Sequence, residues 1–260
     1  MGMEEKEKTA PSVYIVMALL ELFCFCVLLH SVVIQKWLYA LLCLANAAFI
    51  LAPHYLKRWL NLQMSAVLEI FLMVFTVMAI VVGTVLDFYY ITNWLDLVVH
   101  AASGFLAAAI GFQLYGMMNR HDLQTPSVAF RCAVAVSVSL AVAVLWEFWE
   151  FLVFSLFDMD MQHDTVLNKL CTSYFTNKDG VSDVFQHVTS MTLVADGKSY
   201  YIDGYLDMGF IDTITDMLAC FGGTVVFIVG VLVDRERFVR LFTPRPKRTF
   251  QVQQPQFTTV

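Results

Sequence analysis

The chain has 260 residues, of which 59% are apolar and 15% are charged, with 16 Lys and Arg against 22 Asp and Glu. Soluble domains carry about 25% charged residues, so this composition excludes a disordered chain, a basic nucleic-acid-binding domain and an ordinary cytosolic enzyme. It indicates a protein that crosses a lipid bilayer several times.

Six apolar segments have the length and composition of membrane spans, which need about 20 mainly apolar residues. In chain order they cover residues 12–34, 37–52, 65–86, 94–118, 129–157 and 209–233. The first lacks the basic start and small-residue cleavage site of a signal peptide, so we interpret it as a retained helix. The second has only 16 residues before Pro53, which leaves a short, tilted or re-entrant segment as an alternative.

A long segment, residues 158–208, separates the fifth and sixth spans. Its second half has the pattern of a β-hairpin, because β-forming runs at 188–194 and 198–202 flank Asp196-Gly197, a dipeptide suited to a type I′ turn. We therefore predict an all-α polytopic membrane protein with about six transmembrane helices and a long external loop containing a β-hairpin. Residues 1–233 would form a single transmembrane domain with the external insert 158–208, and residues 234–260 a basic cytoplasmic tail.

The distribution of Lys and Arg predicts the orientation, because these residues concentrate on the cytoplasmic side of membrane proteins. With six spans, 12 of the 16 lie on the side that holds both termini. These are Lys6, Lys8, Lys57, Arg58, Arg120, Arg131, Arg235, Arg237, Arg240, Arg245, Lys247 and Arg248. We expect both termini in the cytoplasm, and the last four spans keep their orientation even if the second segment does not cross.

The six cysteines show no spacing typical of zinc ligands. Five of them lie in apolar runs, where Cys behaves as a small apolar residue. We expect packing cysteines and no disulfide framework.

Ionisable residues inside the spans are the main functional signal. A carboxylate at mid-membrane costs about 2.5–3.5 kcal/mol, yet seven lie within the predicted spans. They are Glu21, Glu69, Asp96, Glu147, Glu150, Asp212 and Asp216. Three helices each carry a pair of ligand-type residues at a spacing that places both on one face, namely Asp96 with His100, Glu147 with Glu150, and Asp212 with Asp216.

Depth indicates that these three pairs converge. Asp96, His100, Asp212 and Asp216 follow the outer starts of their helices, and Glu147 and Glu150 lie about 15 and 10 Å below the outer end of theirs at 1.5 Å per residue. All six fall in the outer half of the bilayer. The acidic segment that follows the fifth helix is expected to fold over the same opening, with Asp158, Asp160, His163 and Asp164.

Five carboxylates and one imidazole cannot all be charged together in a low-dielectric pocket. A divalent metal would neutralise several of them, and this ligand set suits Mg²⁺, Mn²⁺ or Fe²⁺ better than zinc. Such a metal could polarise a phosphoryl or carbonyl oxygen or activate water, with one of the six residues left as a general base. Shared protons would instead make the array an ion or proton pathway, and hydrogen-bonded helix contacts are the third alternative.

The ordered motifs Trp94-Leu-Asp96 with His100 and Gly104, Trp146-Glu147 with Glu150, and Asp212-Thr213 with Asp216 resemble the YjdF-like family of bacterial inner-membrane proteins. That resemblance covers about half of the chain and supports the site rather than a reaction. A more distant similarity to VanZ-like membrane proteins implies a role in the cell envelope or in glycopeptide resistance.

Together these observations predict a protein of the bacterial plasma membrane with a carboxylate and histidine pocket that opens outward. We expect a metal-dependent enzyme acting on a lipid or envelope-linked substrate, with the lipid bilayer as a partner and no nucleic acid. A cation- or proton-coupled transporter is one alternative. It should show a polar path to the cytoplasm, for which Glu21 and Glu69 are the inner candidates. A non-catalytic envelope or resistance component is the other.

Overall fold

The protein is mostly helical, with a few small antiparallel strand pairs, as a computed structural model shows. The structure describes residues 10–60, 62–92, 94–118, 126–175 and 181–246. Within them the helices are α1 Pro11–Val33, α2 Trp37–Trp59, α3 Ala66–Thr76 continued by a π-helix Val77–Val85, α4 Phe88–Ile91, α5 Leu95–Met118, α6 Val128–Phe157, α7 Phe210–Val233 and α8 Arg235–Phe242. Six of these helical segments are long and apolar enough to cross a membrane, which confirms the predicted fold class.

The second apolar segment is a full-length helix. α2 continues for six residues beyond Pro53, so the span is longer than the 16 residues that the proline suggested. Proline removes one intrahelical hydrogen bond and usually ends or bends a helix. Residues beyond Pro53 contact neighbouring helices, because the ring of His54 lies 5.8 Å from that of Tyr14 on α1 and Lys57 forms an ion pair with Glu69 on α3.

The chain divides into two compact units. The first contains residues 1–142 and 219–260, and the second contains residues 143–218. The boundaries between them fall inside α6 and α7. A short strand pair belongs to the first unit, in which β1 Leu62–Gln63 pairs with β8 Arg245–Pro246.

Two glycines of the first unit bring α5 and α7 into backbone contact. A Cβ atom built on Gly104 would fall on the carbonyl group of Cys220, and one built on Gly223 would fall on the carbonyl group of Ala101. The neighbouring Gly222 has no heavy atom within 4 Å of such a Cβ. Small residues that permit this close approach are typical of helix packing in membranes.

The start of the predicted C-terminal tail is folded. α8 packs its apolar side against α5, with the ring centroids of Phe238 and Phe242 at 5.9 and 5.3 Å from that of Phe105. Asp234 caps α8 by accepting a hydrogen bond from the backbone N–H of Arg237 at 3.1 Å. Five of the twelve residues that predict the cytoplasmic side lie outside the described residues, namely Lys6, Lys8, Arg120, Lys247 and Arg248.

The described residues of the second unit form three antiparallel strand pairs. β2 Thr165–Leu167 pairs with β7 Tyr205–Asp207, β3 Leu170–Thr172 with β4 Asp183–Phe185, and β5 Met191–Ala195 with β6 Lys198–Ile202. The last pair is the predicted hairpin, although its first strand begins three residues later than the sequence pattern does. Asp196 and Gly197 have φ values of 52° and 74°, the left-handed conformation that a type I′ turn requires.

Candidate functional site

Three buried carboxylates meet in the second unit. Glu147 and Glu150 lie one turn apart on the last part of α6, and Asp216 lies on the first part of α7. One oxygen from each lies within 4.8 Å of the others. The three residues are only 7%, 5% and 1% exposed. The structure thus brings together three of the six residues that the sequence singled out.

This cluster concentrates negative charge where water is scarce. Two ionised carboxylates 4.8 Å apart repel each other by about 3–4 kcal/mol at an effective dielectric constant of 20. The helical segments that supply them, residues 143–157 and 210–218, contain no Lys, Arg or His. A divalent cation or shared protons would reduce this repulsion.

Trp146 orients one of the three carboxylates. Its indole Nε1–H donates a hydrogen bond to Oε1 of Glu150 at 2.7 Å, across one turn of α6. Such a contact outside the ligand shell fixes the direction in which a ligand carboxylate points. In the sequence Trp146 is a neighbour of the acidic pair, and its spacing of four residues from Glu150 was the available signal for this contact.

Asp212 lies one turn before Asp216 and is tied to the segment that follows α6. Its Oδ2 accepts a hydrogen bond from the backbone N–H of His163 at 2.9 Å. Beside it, the amide of Gln162 donates to the hydroxyl of Thr213 at 2.9 Å. The segment after α6 therefore folds over the start of α7, and the sequence carried no signal for the role of Gln162.

Asp207 is a residue that the sequence analysis missed. It is buried in β7, and its Oδ2 accepts a hydrogen bond from the backbone N–H of Ile211 at 2.7 Å, in the first turn of α7. A short acidic side chain just before a helix is a capping pattern, so this role was readable from the chain. The cap holds the helix that carries Asp212 and Asp216.

A further acidic group lies outside the membrane-spanning helices. Partial loss of hydration raises the pKa of the Asp164 carboxyl above its ordinary value, and the negative charges of Asp160 and Asp207 raise it further. The second unit thus gathers acidic groups near the start of α7.

Asp96 and His100 form the predicted pair on α5, in the first unit. Nε2 of His100 lies 3.5 Å from Oδ1 of Asp96, and His100 is buried. The spacing of four residues places them on one face of the helix, as expected. That this pair shares a site with the carboxylates of the second unit stays a prediction.

The remaining intramembrane carboxylates of the described chain lie in the first unit. Glu69 forms an ion pair with Lys57 and is 2% exposed. Glu21 lies on α1 and is half-buried. The cation of Lys57 gives Glu69 a structural partner, which the sequence analysis did not predict.

Six apolar helices define a multi-pass integral membrane protein, which would sit in a lipid bilayer. Residues 13–236 match the family DUF2238, described as predicted membrane proteins. The match covers most of the chain, so the chain belongs to this family. The YjdF-like family, which its motifs resemble, is the same family. Neither the curated proteins nor the solved structures contain a match to this chain.

Proposed function

We propose that this protein is a metal-dependent membrane enzyme that acts on a lipid or envelope-linked substrate. The supporting observation is the cluster of Glu147, Glu150 and Asp216, whose oxygens lie within 4.8 Å of one another in a buried setting. Ligand atoms on opposite sides of one ion lie about 4.2 Å apart for Mg²⁺ and about 4.8 Å apart for Ca²⁺. The three carboxylates therefore fit around one hard divalent cation.

The donor chemistry supports the same ions that the sequence predicted. Carboxylate oxygens suit Mg²⁺ and Mn²⁺, and Fe²⁺ would be favoured if a histidine such as His100 joined the ligand set. Zinc is a poorer match for an all-oxygen group. A bound ion of this class would polarise a phosphoryl or carbonyl oxygen of the substrate.

The residues around the cluster have separate roles in this proposal. Trp146 holds Glu150 in position, which leaves the second oxygen of that carboxylate to face a ligand. Asp212, held by the backbone of His163 one turn from Asp216, is the residue that we assign to accept a proton from the substrate or from water. Asp96 and His100 would complete the metal site, as the sequence predicts.

The depth of the cluster favours an enzyme over a transporter. Asp216 lies six residues from the start of α7, about 9 Å, and Glu150 lies seven residues from the end of α6, about 10 Å. Both distances place the carboxylates near one membrane surface, where a membrane-anchored substrate is within reach. A transporter would also need polar groups near the other surface. Glu69, one of two candidates for that path, is already paired with Lys57.

Metal content of the purified protein tests the site. We expect near-stoichiometric Mn²⁺, Fe²⁺ or Mg²⁺ in the wild type and loss of the metal in a Glu147→Gln/Asp216→Asn variant. Glu21→Gln is the matched control, because it removes another intramembrane carboxylate in the first unit. An Asp96→Asn/His100→Gln variant tests whether that pair contributes ligands.

A folded wild-type protein that takes up no metal, even after incubation with each ion, would contradict the proposal and favour proton-coupled transport. Activity is tested separately on lipid-linked phosphates and esters. We expect Asp212→Asn to lose turnover while it retains the metal. Equal turnover by Asp212→Asn and wild type would contradict the role of Asp212.

The orientation is part of the same proposal. The predicted topology places both termini in the cytoplasm of a bacterial cell and the insert outside. The test is to introduce a cysteine at Lys198 or at Arg237 in a variant that lacks the six native cysteines and to label intact cells with a membrane-impermeant reagent. We expect labelling at position 198 and protection at position 237, and the reverse pattern would contradict the topology.

A further inference from the structure

A small cavity lies in the first unit, where α1 ends, α2 begins and the π-helix ends. Its volume is about 210 Å³. The polar part of its lining consists of His30, Ser31, Lys36, Tyr39 and Asp87. The proposed metal site uses none of these residues.

Tyr39 separates one cation from one anion in this cavity. The ammonium of Lys36 lies 4.5 Å from the centroid of the Tyr39 ring. At the end of the same side chain, the Tyr39 hydroxyl donates a hydrogen bond to Oδ1 of Asp87 at 3.3 Å. Lys36 and Asp87 are not paired with each other, so both charges remain available to a ligand of mixed charge.

The cavity lies at the membrane–water interface. Three spans end or begin at its lining, because Ile34 follows α1, Lys36 precedes α2 and Val85 ends the π-helix. Trp37, adjacent to Lys36, and Tyr90, three residues beyond Asp87, are 66% and 68% exposed. Exposed Trp and Tyr at span ends are typical of the head-group level of a bilayer.

The apolar part of the lining indicates what kind of molecule would carry the head group. Val27, Ile34 and Leu86 line the cavity beside the polar residues. Ile34 is largely exposed, which provides an apolar surface that continues toward the lipid. Val27 and Leu86 already pack in the core of the protein, but a free polar metabolite would leave Ile34 without a contact, whereas the acyl chain of a lipid would cover it.

We propose that this cavity binds the head group of a phospholipid that carries a phosphate and a primary ammonium, as in phosphatidylethanolamine. Lys36 and His30 bind the phosphate, and Asp87 accepts hydrogen bonds from the ammonium. A choline head group has no N–H to donate to Asp87, and Lys36 already occupies the face of Tyr39 where a quaternary ammonium would bind. A phosphatidylglycerol head group has no cation for Asp87.

Lipid binding to the delipidated full-length protein tests the proposal. Native mass spectrometry in detergent would compare phosphatidylethanolamine, phosphatidylcholine and phosphatidylglycerol with identical acyl chains. We expect the wild type to bind phosphatidylethanolamine about fivefold more tightly than the other two, the size of one partly exposed charged contact. Equal binding of the three lipids would overturn the proposal.

Two variants separate the charges of the cavity. Asp87→Asn should abolish the preference for phosphatidylethanolamine over phosphatidylcholine, and Lys36→Gln should weaken binding of both. Asp87 has φ 58°, and Asn tolerates that left-handed conformation, so the backbone is preserved. Asp196→Asn is the matched control, because Asp196 is an exposed aspartate with φ 52° in the hairpin turn. A preference for phosphatidylethanolamine that survives in Asp87→Asn, or one that is lost in Asp196→Asn as well, would overturn the assignment.

Soluble glycerophosphoethanolamine distinguishes a lipid from its free head group. We expect it to compete only weakly, because it offers nothing to Ile34. Binding as tight as that of the lipid would overturn the assignment to a membrane lipid. Since binding is measured without turnover, the result does not depend on the metal site.

Discussion

Adding one methyl group at Gly223 should destabilise the protein by about 2 kcal/mol net, from about 3 kcal/mol of steric overlap less about 1 kcal/mol of gained helix propensity. The Cβ of an alanine there would overlap the backbone carbonyl of Ala101 on α5 and approach the backbone N–H of Phe105. Overpacking usually costs about 1–3 kcal/mol, because the side chains nearby move aside. Here the obstacle is backbone, which yields less, so we expect the upper end of that range.

The adjacent Gly222 supplies a control on the same helix turn. A Cβ at Gly222 meets no heavy atom within 4 Å, and alanine is a better helix former than glycine by about 1 kcal/mol. Gly222→Ala should therefore be neutral or stabilising. The two variants have the same composition, the same hydropathy and the same change in helix propensity, so their difference isolates the contact between α5 and α7.

Unfolding of the purified protein in mixed micelles, titrated with a denaturing detergent, measures both variants. Tryptophan fluorescence reports the transition, since the chain has five Trp residues. We expect the Gly223→Ala transition at clearly lower denaturant than that of the wild type and the Gly222→Ala transition at or above it. Equal transitions for the two variants would refute the argument that backbone contact at Gly223 holds α5 and α7 together.

Three further predictions concern electrostatics and capping. Lys57→Gln should cost about 3–5 kcal/mol because it leaves Glu69 buried without its cation. Adding Glu69→Gln should recover much of this loss, and a double variant as unstable as the single one would contradict the explanation. Asp207→Ala should cost about 1–2 kcal/mol in the same unfolding assay through loss of the cap on Ile211, whereas Asp207→Asn should retain most of the stability. The pKa of Asp164 is raised in the folded state, so the folded protein holds this proton at pH values where the unfolded chain has already released it. The free energy of unfolding should therefore fall as the pH rises from the unfolded-state pKa to the folded-state pKa. Asp164→Asn should flatten that slope, and an unchanged slope would contradict this origin.

The six spans were predictable because a bilayer imposes one strong requirement, a long apolar run with its backbone satisfied internally. The end of the second span was predicted too early, because Pro53 was interpreted by its local effect alone. A proline reports a local preference, whereas the part of α2 beyond it makes tertiary contacts through His54 and Lys57. Secondary structure was thus read well where one local rule dominated and less well where tertiary contacts overrode it.

The pairs of the candidate site were visible as residues three or four apart on one helix, a purely local pattern. The sequence could not predict tertiary contacts between segments that are distant in the chain. Two such contacts are the hydrogen bond from His163 to Asp212 and the ion pair of Lys57 with Glu69. α8 is a case of a missed local signal, because Phe238 and Phe242 are one turn apart and mark an apolar face within a basic segment.

Because β2 pairs with β7, most of the strand-rich part of the second unit is a long loop whose two ends lie side by side. Leu167 lies opposite Tyr205, so the loop formed by the 37 residues from 168 to 204 begins and ends at the same strand pair. The contacts of Asp207 and His163 with the start of α7 lie outside that loop. Changing its length costs only loop-closure entropy, about 0.6 kcal/mol per doubling. Relatives can therefore gain or lose whole strand pairs there without displacing the carboxylates, and an epitope or reporter inserted at the Asp196-Gly197 turn should leave the helices intact.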